Sequence, residues 1–187
     1  MTPDHRHADR RSPLVFDIHE LSRRAGTMRQ VSRTVPAPAD LGLEVIGVPE
    51  GSDVDLALRL EAVVEGVLVT GTATAQLRGE CSRCLTELDE EASFTLQELF
   101  FYPGNEVEED DSLIVDETID VEEALRDAVV LELPFTPLCD DDCLGLCPSC
   151  GSNLNDDPDH THEAAVDPRW EMLAALDVSS PAEQEQT

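Results

Sequence analysis

The chain has 187 residues, a formal net charge of −29, 41% hydrophobic residues and only 4% aromatic ones. That length fits one domain with tails, and the core must be built mainly from Val, Leu and Ala. No apolar run approaches the ~20 residues needed to span a bilayer, and the charged N-terminus lacks a secretory apolar segment, so the expected location is the cytoplasm.

All 12 basic residues are arginines, and seven of them fall within the first 33 residues beside four acids. The acidity therefore belongs to the rest of the chain. An acidic body repels phosphate at long range, so contact with RNA must run through the N-terminal arginines or through a basic partner.

Residues 1–12 are polar and are expected to form a disordered tail. Leu14 to Leu21 predicts a first strand. The segment from Ser22 to Met28-Arg29 is basic and broken by Gly26, which suggests a loop presenting Arg23, Arg24 and Arg29 to a phosphate or an acidic partner, or else to the chain's own acids. Val35-Pro36-Ala37-Pro38 reads as a stiff linker, since each proline holds its predecessor extended.

One short strand is expected from Leu43 to Val48. Val54, Leu56, Leu58, Leu60, Ala62 and Val64 then alternate with mostly charged residues, which predicts a half-buried strand. Glu65-Gly66 supplies a turn. Val67, Val69, Gly71, Ala73, Ala75 and Leu77 mark the return strand, which delivers Cys81. Ala92, Phe94, Leu96 and Phe100 mark a further strand pairing antiparallel with its neighbour.

Gly104 to Ser112 is an acidic, solvated loop without the glycine spacing of a calcium loop. Asp120-x-x-Glu123 predicts a capping box, followed by an amphipathic helix from Val121 to about Leu133 that Pro134 ends. Asp167-Pro168-Arg169-Trp170 predicts a second, C-terminal helix. Its Trp170 is either an anchor folded back on the domain or a partner-docking residue.

Six cysteines give the chain its chemistry: Cys81-x-x-Cys84 and the cluster Cys139, Cys143, Cys147 and Cys150. Two C-x-x-C pairs in a chain expected to be cytoplasmic point to a bound metal more than to disulfides. Such a turn aims backbone N–H groups at the thiolates, and zinc with four thiolate ligands is the natural occupant. With four places around one zinc, two thiols are left over. The ligands can be Cys81, Cys84, Cys139 and Cys143; or Cys81, Cys84, Cys147 and Cys150; or the four downstream cysteines.

Cys143-x-x-x-Cys147-x-x-Cys150 matches the spacing that holds a radical-forming iron–sulfur cluster, but only 37 residues follow it, too few for the barrel such chemistry needs. Thiol oxidoreduction requires the pair to open a helix, whereas this one runs into Gly151-Ser152-Asn153. His160 and His162 lie in a polar, acidic stretch and are expected to be solvated. There is no Walker loop, nucleophile elbow or H-E-x-x-H, and no evident acid–base pair.

Gly79-Glu80-Cys81-Ser82-Arg83-Cys84-Leu85, Leu133-Pro134, Gly145-Leu146-Cys147-Pro148-x-Cys150-Gly151 and Asp167-Pro168-Arg169-Trp170 together resemble the YceD family, the large ribosomal RNA subunit accumulation proteins. The resemblance covers roughly residues 14–176. It implies a role in 23S rRNA accumulation and large-subunit biogenesis without enzymatic activity, with a large-subunit rRNA precursor or a basic ribosomal protein as partner and no small-molecule substrate. A thiol-based redox sensor or zinc-buffering protein is the alternative, and a metal-dependent nuclease ranks last.

The expected architecture is α+β: a mainly antiparallel sheet with one internal helix, a C-terminal helix and a cysteine-rich zinc-binding loop. Residues 13–155 form the zinc-stapled domain, and 156–187 a polar linker, short helix and tail.

Overall fold

The computed structural model describes residues 11–21, 24–105, 108 and 111–162. Arg23, Trp170 and the expected C-terminal helix lie outside these residues, as does nearly all of the N-terminal tail and part of the acidic loop. Among the described residues the elements are β1 (Val15–Asp17), β2 (Met28–Pro36), β3 (Leu41–Gly42), β4 (Ile46–Val48), β5 (Asp53–Ala62), β6 (Gly66–Glu80), β7 (Glu87–Phe101), β8 (Thr118–Asp120) and α1 (Glu122–Glu132). The expectation of a mainly antiparallel sheet with an internal helix is met.

Strand β6 is the spine of the main sheet. It pairs antiparallel with β5 and then β4 along one edge, and with β7 along its full length on the other. Alternation sets the two faces. Val54, Leu56, Leu58 and Leu60 of β5, Val67, Val69, Ala73 and Ala75 of β6, and Phe94, Leu96 and Phe100 of β7 are buried on the inner face. Leu56, Ala73 and Phe94 meet in one row, as do Leu58, Gly71 and Leu96.

Helix α1 packs beside β7 and β3, and with the small β1–β8 sheet it adds Phe16, Ile119, Leu125 and Val129 to the same buried cluster. The opposite face of the sheet stays open. It carries Asp53, Asp55, Glu61, Asp89 and Glu91 among threonines and serines, as the period of two requires.

Several local expectations are corrected. The stiff linker at residues 35–38 is instead the end of a nine-residue edge strand, β2, whose Val35 is buried opposite Val54. Pro36 is its last residue, a position where an edge strand tolerates a missing N–H. Residues 43–48 do not form one strand: Leu41–Gly42 folds back on Ile46–Val48. Val64 does not point into the core but sits 87% exposed at the β5–β6 turn. The capping box is not formed, because Asp120 ends β8 and its carboxylate accepts the Glu122 N–H at 3.0 Å, two positions on. Helix α1 starts after Val121 with no side-chain cap, and close to the expected end it stops at Glu132, with Leu133 as its C-cap just before Pro134.

Candidate metal centres

The connection between the two longest strands is a cysteine turn. β6 ends at Glu80 opposite Glu87 of β7, and Cys81-Ser82-Arg83-Cys84 turns the chain between them. The Leu85 N–H donates to the Cys81 carbonyl at 2.9 Å, which curls the backbone around the first sulfur. Downstream, α1 exits through Pro134 to Leu138, and the Ser82 N–H donates to the Pro137 carbonyl at 2.8 Å. That contact brings Cys139 and Cys143 over the turn.

The four sulfurs of Cys81, Cys84, Cys139 and Cys143 all lie within 4.8 Å of one another. Cys81 and Cys143 Sγ are 3.8 Å apart, Cys84 and Cys139 Sγ 3.4 Å. A disulfide needs about 2.05 Å, so these are thiols. Four thiolates at a Zn–S distance of about 2.3 Å stand about 3.8 Å apart at the corners of a tetrahedron. The cluster therefore has the size of a zinc site before any ion is considered.

Its surroundings favour thiolates at Cys81 and Cys84. Burial pushes the Cys81 thiol up, but the N–H groups of Cys84, Arg83 and Cys139 outweigh it and lower the pKa to about 6. Thr86 lowers that of Cys84 through its hydroxyl, 3.1 Å from the sulfur, and its N–H. Cys139 shares its proton in hydrogen bonds with the sulfurs of Cys84 and Cys143, which pushes its pKa up to about 12. A divalent cation at the centre would take the place of that proton. Around the cluster, Asn155 Nδ2 donates to Cys143 Sγ at 3.3 Å and Arg83 Nη1 to the Cys143 carbonyl at 2.9 Å. Leu88, Leu138 and Leu146 pack against it.

The remaining two cysteines are not left over. Cys147, Cys150, His160 and His162 form a second group whose ligand atoms also lie within 4.8 Å. Cys150 Sγ is 3.2 Å from Nε2 of both histidines, and the two Nε2 atoms are 2.9 Å apart. The Ser152 hydroxyl and N–H, followed by His162, draw the Cys150 pKa down to about 5. His160 is thus half-buried while His162 stays exposed, and the two groups together could hold two ions where a single four-ligand site was expected. The expected boundary after Asn155 falls between the cysteines and the histidines of this group. The signal lay in the count: six cysteines and an H-x-H pair supply eight ligands, enough for two tetrahedra.

The described arginines are engaged within the molecule. Arg29 lies in β2, not in a loop; it donates to the Asp17 carbonyl and pairs with Glu20 at 3.5 Å. Arg33, not singled out from sequence, lies over Phe16 at 4.6 Å and donates to the Pro13 carbonyl at 2.9 Å. Arg59 pairs with Glu61, Arg78 with Asp89 and Arg126 with Glu122, while Arg83 holds Cys143. Arg11 and Arg24 also have interactions of their own. Among the described residues no helix is long and apolar enough to cross a membrane.

An acidic sheet protein with two Cys/His clusters able to hold metal is thus the class that fold and site define. The model of the YceD family, described as large ribosomal RNA subunit accumulation protein YceD, matches residues 69–177. The chain belongs to that family. It is similar to an uncharacterized protein of Mycobacterium tuberculosis, 49% identical over 170 residues that cover 88% of this chain and 82% of the relative. An uncharacterized protein of Mycobacterium leprae is 44% identical over 88% of this chain and 78% of its own length. A chloroplastic YCED homolog 1 of Arabidopsis thaliana, named a large ribosomal RNA subunit accumulation protein, is 49% identical over 37 residues, 20% of this chain and 12% of the relative. No solved structure matches the chain.

Proposed function

We propose that this protein is a non-enzymatic cytoplasmic factor that promotes 23S rRNA accumulation and large-subunit biogenesis, and that its direct contact is a basic ribosomal protein. The family match over residues 69–177 supports the ribosomal role. The choice of a protein contact over RNA rests on one observation: each described arginine already has an intramolecular partner. Phosphate binding needs cations free to displace counterions. The open face of the sheet instead offers carboxylates at Asp53, Asp55 and Glu91, which complement a basic chain.

Zinc at Cys81, Cys84, Cys139 and Cys143 has a structural role in this proposal, fastening the β6–β7 turn to the segment that leaves α1. The donor set and its spacing support zinc over harder cations, which prefer oxygen.

Affinity purification after crosslinking in cells, followed by identification of the crosslinked protein and RNA, tests the choice of contact. A lysine- and arginine-rich large-subunit protein crosslinked to the sheet, with binding that weakens as salt is raised, is the expected result. Crosslinks confined to rRNA would contradict it.

A further inference from the structure

We infer that Cys147, Cys150, His160 and His162 form a second metal site for a tetrahedral, borderline-soft divalent cation such as zinc, and that this site depends on the four-cysteine cluster without supporting it in return. The inference is independent of the ribosomal role. Its first ground is local geometry. The Gly151 N–H donates to the Cys147 carbonyl at 2.8 Å, the same bond that Leu85 makes to Cys81. In each case the donor follows the second cysteine and has a positive φ, +76° at Gly151 and +59° at Leu85. The two cysteine turns therefore share one backbone design, and the first already presents its sulfurs to a tetrahedral set.

The second ground is what the histidines do. Both rings turn Nε2 toward Cys150, with their planes at 85° and centroids 4.6 Å apart. Two imidazole nitrogens 2.9 Å apart can share at most one proton between them, and otherwise their lone pairs face each other. An ion at the centre of the group removes that conflict, since two nitrogens bound to one zinc stand about 3.4 Å apart. Behind the ring, His160 Nδ1 lies 3.6 Å from an Asp157 carboxylate oxygen. At that distance the carboxylate favours a proton on Nδ1 electrostatically, which leaves Nε2 free to ligate.

The dependence follows from how the second turn is mounted. Leu144 N–H donates to Asn155 Oδ1 at 2.8 Å, and Asn155 Nδ2 donates in turn to Cys143 Sγ. Leu154 N–H bonds to the Gly145 carbonyl and Cys147 N–H to that of Ser152. The segment from 143 to 155 is thus a closed finger whose base is a ligand of the first cluster and whose tip carries the second. Three of the four ligands of the first cluster are buried and Cys139 is exposed, whereas in the second Cys147 alone is buried, His160 is half-buried, and Cys150 and His162 are exposed. The inner ion anchors the finger; the outer one closes residues 156–162 onto its tip and is the more readily exchanged.

Metal content of the full-length protein, loaded with zinc and freed of excess, tests this together with the absorption spectrum after exchange for cobalt(II). Two ions per chain are expected, with a spectrum that sums a four-thiolate site and a two-thiolate, two-imidazole site. His160→Ala with His162→Ala should lose one of the two ions and the imidazole-bearing component, leaving the four-thiolate bands and the main unfolding transition in place. Cys147→Ser with Cys150→Ser should do the same, whereas Cys81→Ser with Cys84→Ser should lose both ions. One ion per chain in the unaltered protein, or two retained in the histidine variant, would overturn the site. Asn155→Ala, which cuts the link from Cys143 to the finger and leaves all eight ligands in place, should lower occupancy of the outer site and spare the inner one; equal retention of both ions would overturn the one-way dependence.

Discussion

Leu85 and Gly151 occupy equivalent places in the two cysteine turns, yet only one is a glycine. A left-handed backbone costs a residue with a Cβ about 1–2 kcal/mol, of which glycine's greater freedom in the unfolded chain returns roughly half. The Leu85 side chain is 59% exposed and has little packing to lose. Leu85→Gly is therefore expected to stabilise the metal-loaded protein by ~0.5 kcal/mol in denaturant unfolding; a loss would mean that the side chain has contacts beyond its own turn. Arg33 is the opposite case, a charged residue whose packing matters. Removing its stacking on Phe16 and its bond to Pro13 with Arg33→Ala should cost about 1 kcal/mol, and Arg33→Lys should recover only part, because the planar guanidinium makes both contacts at once.

Proton competition at the cysteines sets a pH window at this same scale. Cys81 and Cys150 have folded pKa values lowered from 9.0 to about 6 and about 5. Their thiolates are thus available above those values and are lost as pH falls through them. Apparent zinc affinity, measured by competition with a chelator, should therefore weaken further as pH falls through about 6 and then about 5, where protons begin to compete for Cys81 and Cys150. An affinity that did not change between about pH 7 and pH 5 would contradict a role for these two thiolates in holding the ion.

At the scale of elements, strands β5 and β6 were plain in the sequence because each buries one face fully and leaves the other to solvent. β2 was hidden by its own side chains. On the face that meets Leu60, Leu58, Leu56 and Val54 it alternates Arg29, Val31, Arg33 and Val35, and the two arginines are exposed and reach toward β1 and its flanks, so the pattern reads as polar. The start of α1 was misread for a similar reason. Asp120 does accept a backbone N–H, as a cap would, but from a strand end that the local pattern does not distinguish from a helix start. Asp120→Ala should therefore still cost about 1 kcal/mol, as loss of a cap does, in thermal unfolding. No change would mean that the Glu122 N–H is satisfied without it. The first metal cluster was legible as one of three possible sets, since spacing alone cannot say which cysteines the fold brings together. The second was missed because ligands ten residues apart in a polar stretch have no periodicity to betray them.

For the molecule as a whole, the proposed zinc joins the longest hairpin to the exit of the helix that covers the sheet. Binding energy of structural zinc is on the order of 10 kcal/mol, comparable to the stability of an entire domain. Cys81→Ser with Cys84→Ser should accordingly abolish the cooperative unfolding transition along with metal binding, not merely loosen one turn. The charge pattern belongs to this scale too. Among the described residues the open face of the sheet carries carboxylates, and the family to which the chain belongs is described as large ribosomal RNA subunit accumulation protein. The most direct test is the sucrose-gradient ribosome profile and the ratio of 23S to 16S rRNA in cells depleted of this protein. A selective fall in free large subunits and in that ratio, restored by the unaltered protein and not by the Cys81/Cys84 variant, is predicted. An unchanged ratio under full depletion would contradict a role in large-subunit RNA accumulation.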